Sequence, residues 1–192
     1  MARPKEFDRD ITLKKAIGVF CEHGYEGTST DALLVAMGIS RQSMYDTYGD
    51  KRRLYLEALQ RYQADSVADH LRTLDRASSP VKGLEALLIS FASRPPSEAL
   101  QGCMGVNAIC EFGRSDQKVN LLTDAASQTL DAALERLILE AKGTGEIDPS
   151  IEVRAASQFL QATLAGMKVS ARAGATAETL HAVARMAIRG IS

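Results

Sequence analysis

Arg41, Gln42, Ser43, Tyr45, Thr47 and Tyr48 lie close together in the stretch "AMGISRQSMYDTYGDKRRLY", positions 36–55. These side chains make directed hydrogen bonds to flat, polar targets. A guanidinium and a carboxamide can form paired bonds to guanine and adenine edges, each good pair contributing about 1–3 kcal/mol of discrimination. Hydroxyls suit phosphate oxygens or adaptable base contacts. Lys51 reads as part of the first turn of a following helix, where its ammonium and the helix dipole attract the same phosphate. The chemistry on offer suits recognition of a nucleic acid, and the same spacing also suits an ordinary helical hairpin with a solvated polar face.

A second group sits in "GCMGVNAICEF", positions 102–112. Cys103, Asn107, Cys110 and Glu111 are spaced to share one helical face, and Asn107 and Glu111 among apolar neighbours are expected either to bind a ligand or to reach a neighbouring helix. Three readings of the cysteines stay open. They are small core residues. Or Cys103, following Gly102 at a helix start that favours thiolate, senses redox state or electrophiles. Or Cys103, Met104, Cys110 and Met167 hold a soft metal, although adjacent helical residues point apart. Phe91, Phe112, Gln158, Phe159, Gln161 and Met167 are candidates for lining an apolar ligand pocket, and each also suits an ordinary core.

The elements that must position these residues are helices. Leu13, Ala16, Ile17, Phe20 and Cys21 form a stripe ending at Gly24. Thr28 opens the next helix with Asp31 three residues on, a capping-box spacing, and Gly38 closes it. Ser40 caps the helix that carries Arg41 to Tyr48, and Asp50 caps a long one reaching about Arg76. Ser79-Pro80 starts another, and "RPPSEALQG" at 94–102 is a break. A long helix follows from Asp116 to Lys142. Asp148-Pro149 starts a helix reaching about Ala173. The last helix carries a near-heptad seam of Leu180, Val183, Ala184, Ala187, Ile188 and Ile191. No alternating strand pattern competes. The expectation is all-α, about nine helices: an N-terminal helix-turn-helix three-helix bundle (1–50), joined by a long helix to a larger helical bundle (51–192). The last two long helices are expected to form the dimer.

Composition narrows the function classes. At 192 residues with 45% hydrophobic and 24% charged content, the chain can bury a core. No apolar run could span a bilayer, and the polar start "MARPKEFDRD" has no leader pattern, so a cytoplasmic location is expected. Three cysteines give no disulfide framework, and His23, His70 and His181 lack metal-ligand spacing, so neither metal nor cofactor is expected. Over residues 1–55, nine Lys/Arg oppose eight Asp/Glu, which predicts modest non-specific DNA affinity and a need for two heads.

Gly38-Ile39-Ser40 between two short helices reads as a helix-turn-helix, whose second helix enters the major groove. Residues 16–59 carry Ala16-x-x-x-Phe20, Gly24-Tyr25, Thr28-Ser29, Ala36-x-Gly38-Ile39-Ser40, Met44-Tyr45, Tyr48 and Lys51 in fixed order. That span closely resembles the DNA-binding domain of the TetR-type (TetR/AcrR-like) bacterial transcriptional regulators. The resemblance implies a homodimeric regulator, a repressor in this reading, bound to a palindromic operator of double-stranded DNA. A small-molecule inducer or an electrophile acting on the C-terminal half would release it. Thr28, Ser29, Tyr48 and Lys51 would then meet the DNA backbone, with Arg41, Gln42, Ser43, Tyr45 and Thr47 facing the groove. The long helix from Asp50 would act as the lever. Asp46 departs from the family pattern: many relatives carry histidine or asparagine there. Its carboxylate is repelled by DNA unless it accepts from a cytosine amino group or pairs with a nearby arginine. The alternative reading is a helical ligand carrier or enzyme using the C-terminal cavity, for which no nucleophile-base pair or phosphate loop is visible.

Overall fold

Most helix starts in this chain coincide with polar side chains that accept the free N–H groups of the first turn. The computed structural model describes residues 7–192; Arg3, Lys5 and Glu6 of the charge balance, and most of the polar start, lie outside these residues. The described residues form α1 (Arg9–His23), α2 (Thr30–Met37), α3 (Arg41–Tyr48), α4 (Lys51–Asp75), α5 (Pro80–Ala92), α6 (Pro96–Leu100), α7 (Met104–Phe112), α8 (Gln117–Thr144), α9 (Val153–Arg172) and α10 (Ala177–Arg189), with no strand among them. The all-α expectation is met. The tenth helix, beyond the nine expected, is the five-residue α6 inside the segment read as a break.

Side-chain caps come from Asp8, Ser29, Ser40, Ser79, Glu152 and Thr176. Asp50 accepts from Arg53 N at 2.8 Å, and Asp116 accepts from Lys118 N and Val119 N at 3.1 and 3.0 Å. Two starts differ from expectation. Ser29, not Thr28, caps α2, its Oγ accepting from Ala32 N at 3.1 Å. Asp148-Pro149 does not open α9: the Asp148 carboxylate accepts from Ser150 N at 2.7 Å, closing a turn, and Glu152 caps the helix instead.

The chain divides into two compact units. Unit 1 comprises the residues up to Gln63 together with Cys103–Thr123, and unit 2 comprises Ala64–Gly102 and Asp124–Ser192. Met104, Ala108 and Val119 are buried in the same core as Phe20, Leu33, Met37, Met44, Leu54, Tyr55 and Leu59, which draws α7 into the helix-turn-helix unit. Phe20, Tyr25, Tyr55 and Phe112 stack there at centroid distances of 4.9 to 5.7 Å.

Unit 2 has its own core, in which Leu84 and Leu88 pack with Leu134, Ile138, Leu160, Leu164 and Met167. Of the seam read on the last helix, Leu180, Ala184, Ala187, Ile188 and Ile191 are buried in this core, where α10 packs on α5 and α9. Only Val183 of that set is exposed, at 40%. The seam is thus occupied within the protomer. Along the edge of that seam, at Val183 and Ala187, α9 and α10 leave an apolar groove open, lined also by Phe159, Thr163, Thr179, Ala182 and Met186.

Candidate nucleic-acid interface

The turn between α2 and α3 depends on Gly38, which adopts the left-handed conformation (φ 69°, ψ 34°) and donates its N–H to Leu34 O. Ser40 then caps α3, accepting from Ser43 N at 3.1 Å. On α3, Met44 and Tyr48, four residues apart, face the core, and both are buried. Arg41, Gln42, Tyr45 and Asp46 are consequently turned to solvent. Ser43 and Thr47 are half-buried, with the Ser43 hydroxyl accepting from Ser40 Oγ at 2.9 Å.

Both candidate base readers are held by carboxylates. Arg41 Nη2 donates to Asp31 Oδ1 at 2.5 Å, joining the two helices of the motif. Gln42 Nε2 donates to Asp46 Oδ1 at 2.8 Å. Asp46 therefore pairs with the glutamine and not with a neighbouring arginine. The spacing of four residues is the local signal for the Gln42–Asp46 pair, whereas no local pattern marks Asp31 as the partner of Arg41, ten residues on.

The backbone-contact set divides. Ser29 is exposed at the first turn of α2, where free N–H groups gather. Thr28 is buried, and its hydroxyl donates to Gly24 O, which engages its proton inside the fold. Tyr48 is also buried. Its hydroxyl donates to Arg9 O at 2.9 Å and shares a 2.6 Å hydrogen bond with Thr12 Oγ1. Burial pushes the phenol's pKa up, and the Thr12 bond opposes this. Thr28 and Tyr48 are framework residues; an aromatic or hydroxyl side chain in a motif reads alike in sequence whether it faces in or out. Lys51 is half-buried at the start of α4, its Nζ 4.2 Å from the centroid of the Tyr25 ring.

The residues proposed for sensing divide between the two units. In unit 1, Asn107 Nδ2 donates to Cys21 O at 2.9 Å, and the Glu111 carboxylate accepts from Tyr25 N and Glu26 N at 2.8 and 3.2 Å. These two polar residues fasten α7 to the end of α1, which explains their presence among apolar neighbours. Cys103 is buried and accepts from Tyr62 OH at 3.2 Å, whereas Cys110 is exposed. One helical face in sequence is thus two environments in space, which removes the basis of a shared soft-metal site. In unit 2, Phe91 and Met167 are core residues, and Phe159 is exposed in the α9–α10 groove. Among the described residues, no group of three His, Cys, Asp or Glu side chains could hold a metal ion, and no helix is long and apolar enough to cross a membrane.

A capped helix pair joined by a left-handed glycine, with arginine and glutamine exposed on the second helix, defines a helix-turn-helix DNA-binding protein. Residues 13–58 match the family described as bacterial regulatory proteins, tetR family, and residues 80–187 match the tetracyclin repressor-like C-terminal domain. The chain is 34% identical over 187 residues to the HTH-type transcriptional regulator YezE of Bacillus subtilis (strain 168), covering 94% of each protein. It is 29% identical to the HTH-type transcriptional repressor ComR of Escherichia coli (strain K12), covering 97% of this chain and 90% of ComR. Its fold superposes with a TM-score of 0.85 on a cysteine mutant of the TetR family regulator CifR complexed with 26-base-pair operator DNA. That pair is 30% identical, over 97% of this chain and 98% of CifR. The chain belongs to the TetR family of bacterial transcriptional regulators, a family of regulators and not of enzymes.

Proposed function

We propose that the protein is a repressor that binds a palindromic operator as a homodimer and releases it when a small molecule binds or a thiol is modified. The observation that carries this reading is the placement of Arg41 and Gln42. Both are exposed on the N-terminal half of α3 while Met44 and Tyr48 anchor its other side. That half of the second helix is the part that meets base edges in helix-turn-helix proteins. The operator complex of CifR and the repressor role of ComR support the same reading.

Two heads are needed because residues 1–55 carry so little net positive charge. The α9–α10 groove supplies the pairing face, with Phe159, Val183 and Met186 exposed at 45, 40 and 65%. A two-fold dimer of this kind fits half-sites about one helical turn, or a multiple of it, apart. An inducer releases the DNA only if it prefers the conformation whose heads do not fit the operator. Of the two thiols on and beside α7, Cys110 is the one a reagent reaches directly.

The test combines sedimentation with gel shift on duplexes selected from a randomised library. Wild type is expected to sediment as a dimer and shift the selected duplex. Met186→Arg is expected to give folded monomers that bind it at least tenfold more weakly. An alkylating agent such as N-ethylmaleimide should dissociate the wild-type complex and leave that of Cys110→Ser intact. Folded monomers of wild type, or release unaffected by both Cys110→Ser and Cys103→Ser, would remove the dimer and the thiol parts respectively.

A further inference from the structure

Gln42 and Asp46 lie one helical turn apart on the exposed side of α3, joined by the 2.8 Å bond from Nε2 to Oδ1. A carboxylate only accepts hydrogen bonds, whereas a carboxamide has a donor end and an acceptor end. Flipping the Gln42 amide would set Oε1 against Oδ1, two acceptors at hydrogen-bond distance. The bond to Asp46 therefore fixes which end of the amide points where. One N–H bond of Nε2 is engaged, and the other N–H and Oε1 remain for a ligand.

That remaining pair, one donor beside one acceptor, complements the major-groove edge of adenine, which offers N7 as acceptor and the N6 amino group as donor. An unbuttressed glutamine at a surface samples both amide orientations and presents the opposite order half of the time. Arg41, adjacent to Gln42 and positively charged, pairs with Asp31 and so does not neutralise Asp46. A net carboxylate on a helix that faces phosphates weakens binding to any duplex. The bond to Gln42 gives it a role to set against that cost.

We infer that Asp46 is a specificity-determining positioning residue: it orients the Gln42 amide so that α3 selects adenine, at the expense of affinity for DNA in general. The inference rests on the reading that α3 enters the major groove. It goes beyond that reading by assigning a base to one side chain and a role to a residue that contacts no base.

The experiment uses the full-length protein and its Asp46→Asn, Asp46→Glu and Gln42→Ala variants. Wild type is first used to select duplexes from a randomised double-stranded library. Each variant is then titrated with the selected duplex, with copies in which each adenine of the half-site is replaced in turn, and with an unrelated duplex. Wild type is expected to discriminate for adenine at one position per half-site, and Gln42→Ala to lose that preference. Asp46→Asn is nearly isosteric but can bond the amide in either orientation. It is expected to bind the unrelated duplex more tightly while its adenine discrimination falls about threefold to tenfold. Asp46→Glu, still acceptor-only and within reach at this spacing, is expected to retain the discrimination. If Asp46→Asn tightens all duplexes equally and keeps the adenine preference, Asp46 merely repels DNA and the inference is overturned, with the α3 reading untouched. If Gln42→Ala itself keeps the preference, Gln42 is not the reader and the assignment fails at its foundation.

Discussion

Asn107 Nδ2 lies 2.9 Å from the carbonyl oxygen of Cys21, and 3.4 Å from that of Phe20, at the C-terminal end of α1. Carbonyls in the last turn of a helix lack partners within it, so the amide acts as a side-chain cap supplied by α7. Asn107→Ala removes both bonds. It is expected to destabilise unit 1 by about 1–2 kcal/mol, read as a lower urea midpoint of the head signal. An unchanged midpoint would show that the contact carries no stability.

Gly24 makes the neighbouring anchor feasible. Its φ is 69°, and a Cβ built there would lie 2.4 Å from Glu111 Oε1. Gly24→Ala therefore combines backbone strain with a steric conflict, and a loss of about 2 kcal/mol or more is expected. In a Glu111→Ala background the steric part disappears, so the same substitution should cost markedly less. Equal costs in the two backgrounds would mean that Glu111 does not press on this glycine.

Tyr55 presents the opposite case. Its ring packs edge-on against Phe20 and Tyr25, but its hydroxyl is buried without a hydrogen-bond partner, and burial pushes its pKa well up. Tyr55→Phe keeps the ring contacts and removes the unsatisfied oxygen. Stability is expected to stay level or rise by about 1 kcal/mol. A fall of that size in thermal unfolding would show that the hydroxyl is paired.

His70 couples unit 2 to acid. Burial lowers its pKa from 6.5 to about 4, with Lys168 and Arg94 adding to the effect and Asp69 opposing it, and Nδ1 has no hydrogen-bond partner. The unfolded chain binds the proton first as pH falls below 6.5, so stability declines between there and about 4 and levels off below. The full decline is on the order of 3 kcal/mol. Urea titrations from pH 7 to pH 4 should show a shallower acid loss in His70→Leu than in wild type. Parallel pH profiles would contradict the assignment.

Local signals proved readable and non-local ones did not. Glycine, serine and aspartate marked nearly every helix boundary, because caps involve neighbours within four residues. Where two caps competed, as with Thr28 against Ser29 and Asp148 against Glu152, sequence favoured the wrong one, since both candidates offer an acceptor at a plausible spacing. The exposure of Arg41 and Gln42 followed from helical period with Met44 inward. The inward turn of Tyr48 did not, because its partners Thr12 and Arg9 lie 36 and 39 residues away. The same limit leaves open in sequence whether Asn107 and Glu111 hold a ligand or a neighbouring helix: the groups they hold, Cys21 O and Tyr25 N, are 86 residues distant in sequence.

The central claim is that the exposed half of α3 reads bases from the major groove. N7 of the purines lies only in that groove, so interference by N7-modified purines is the most direct measurement. Duplexes selected on the wild-type protein are rebuilt with 7-deazaguanine or 7-deazaadenine at single positions and titrated against wild type, Arg41→Ala and Gln42→Ala. The account predicts that substitution at one or more half-site purines weakens wild type by about fivefold or more, and that each variant loses sensitivity at one of those purines. Wild-type binding indifferent to N7 at every position of the half-site would contradict it.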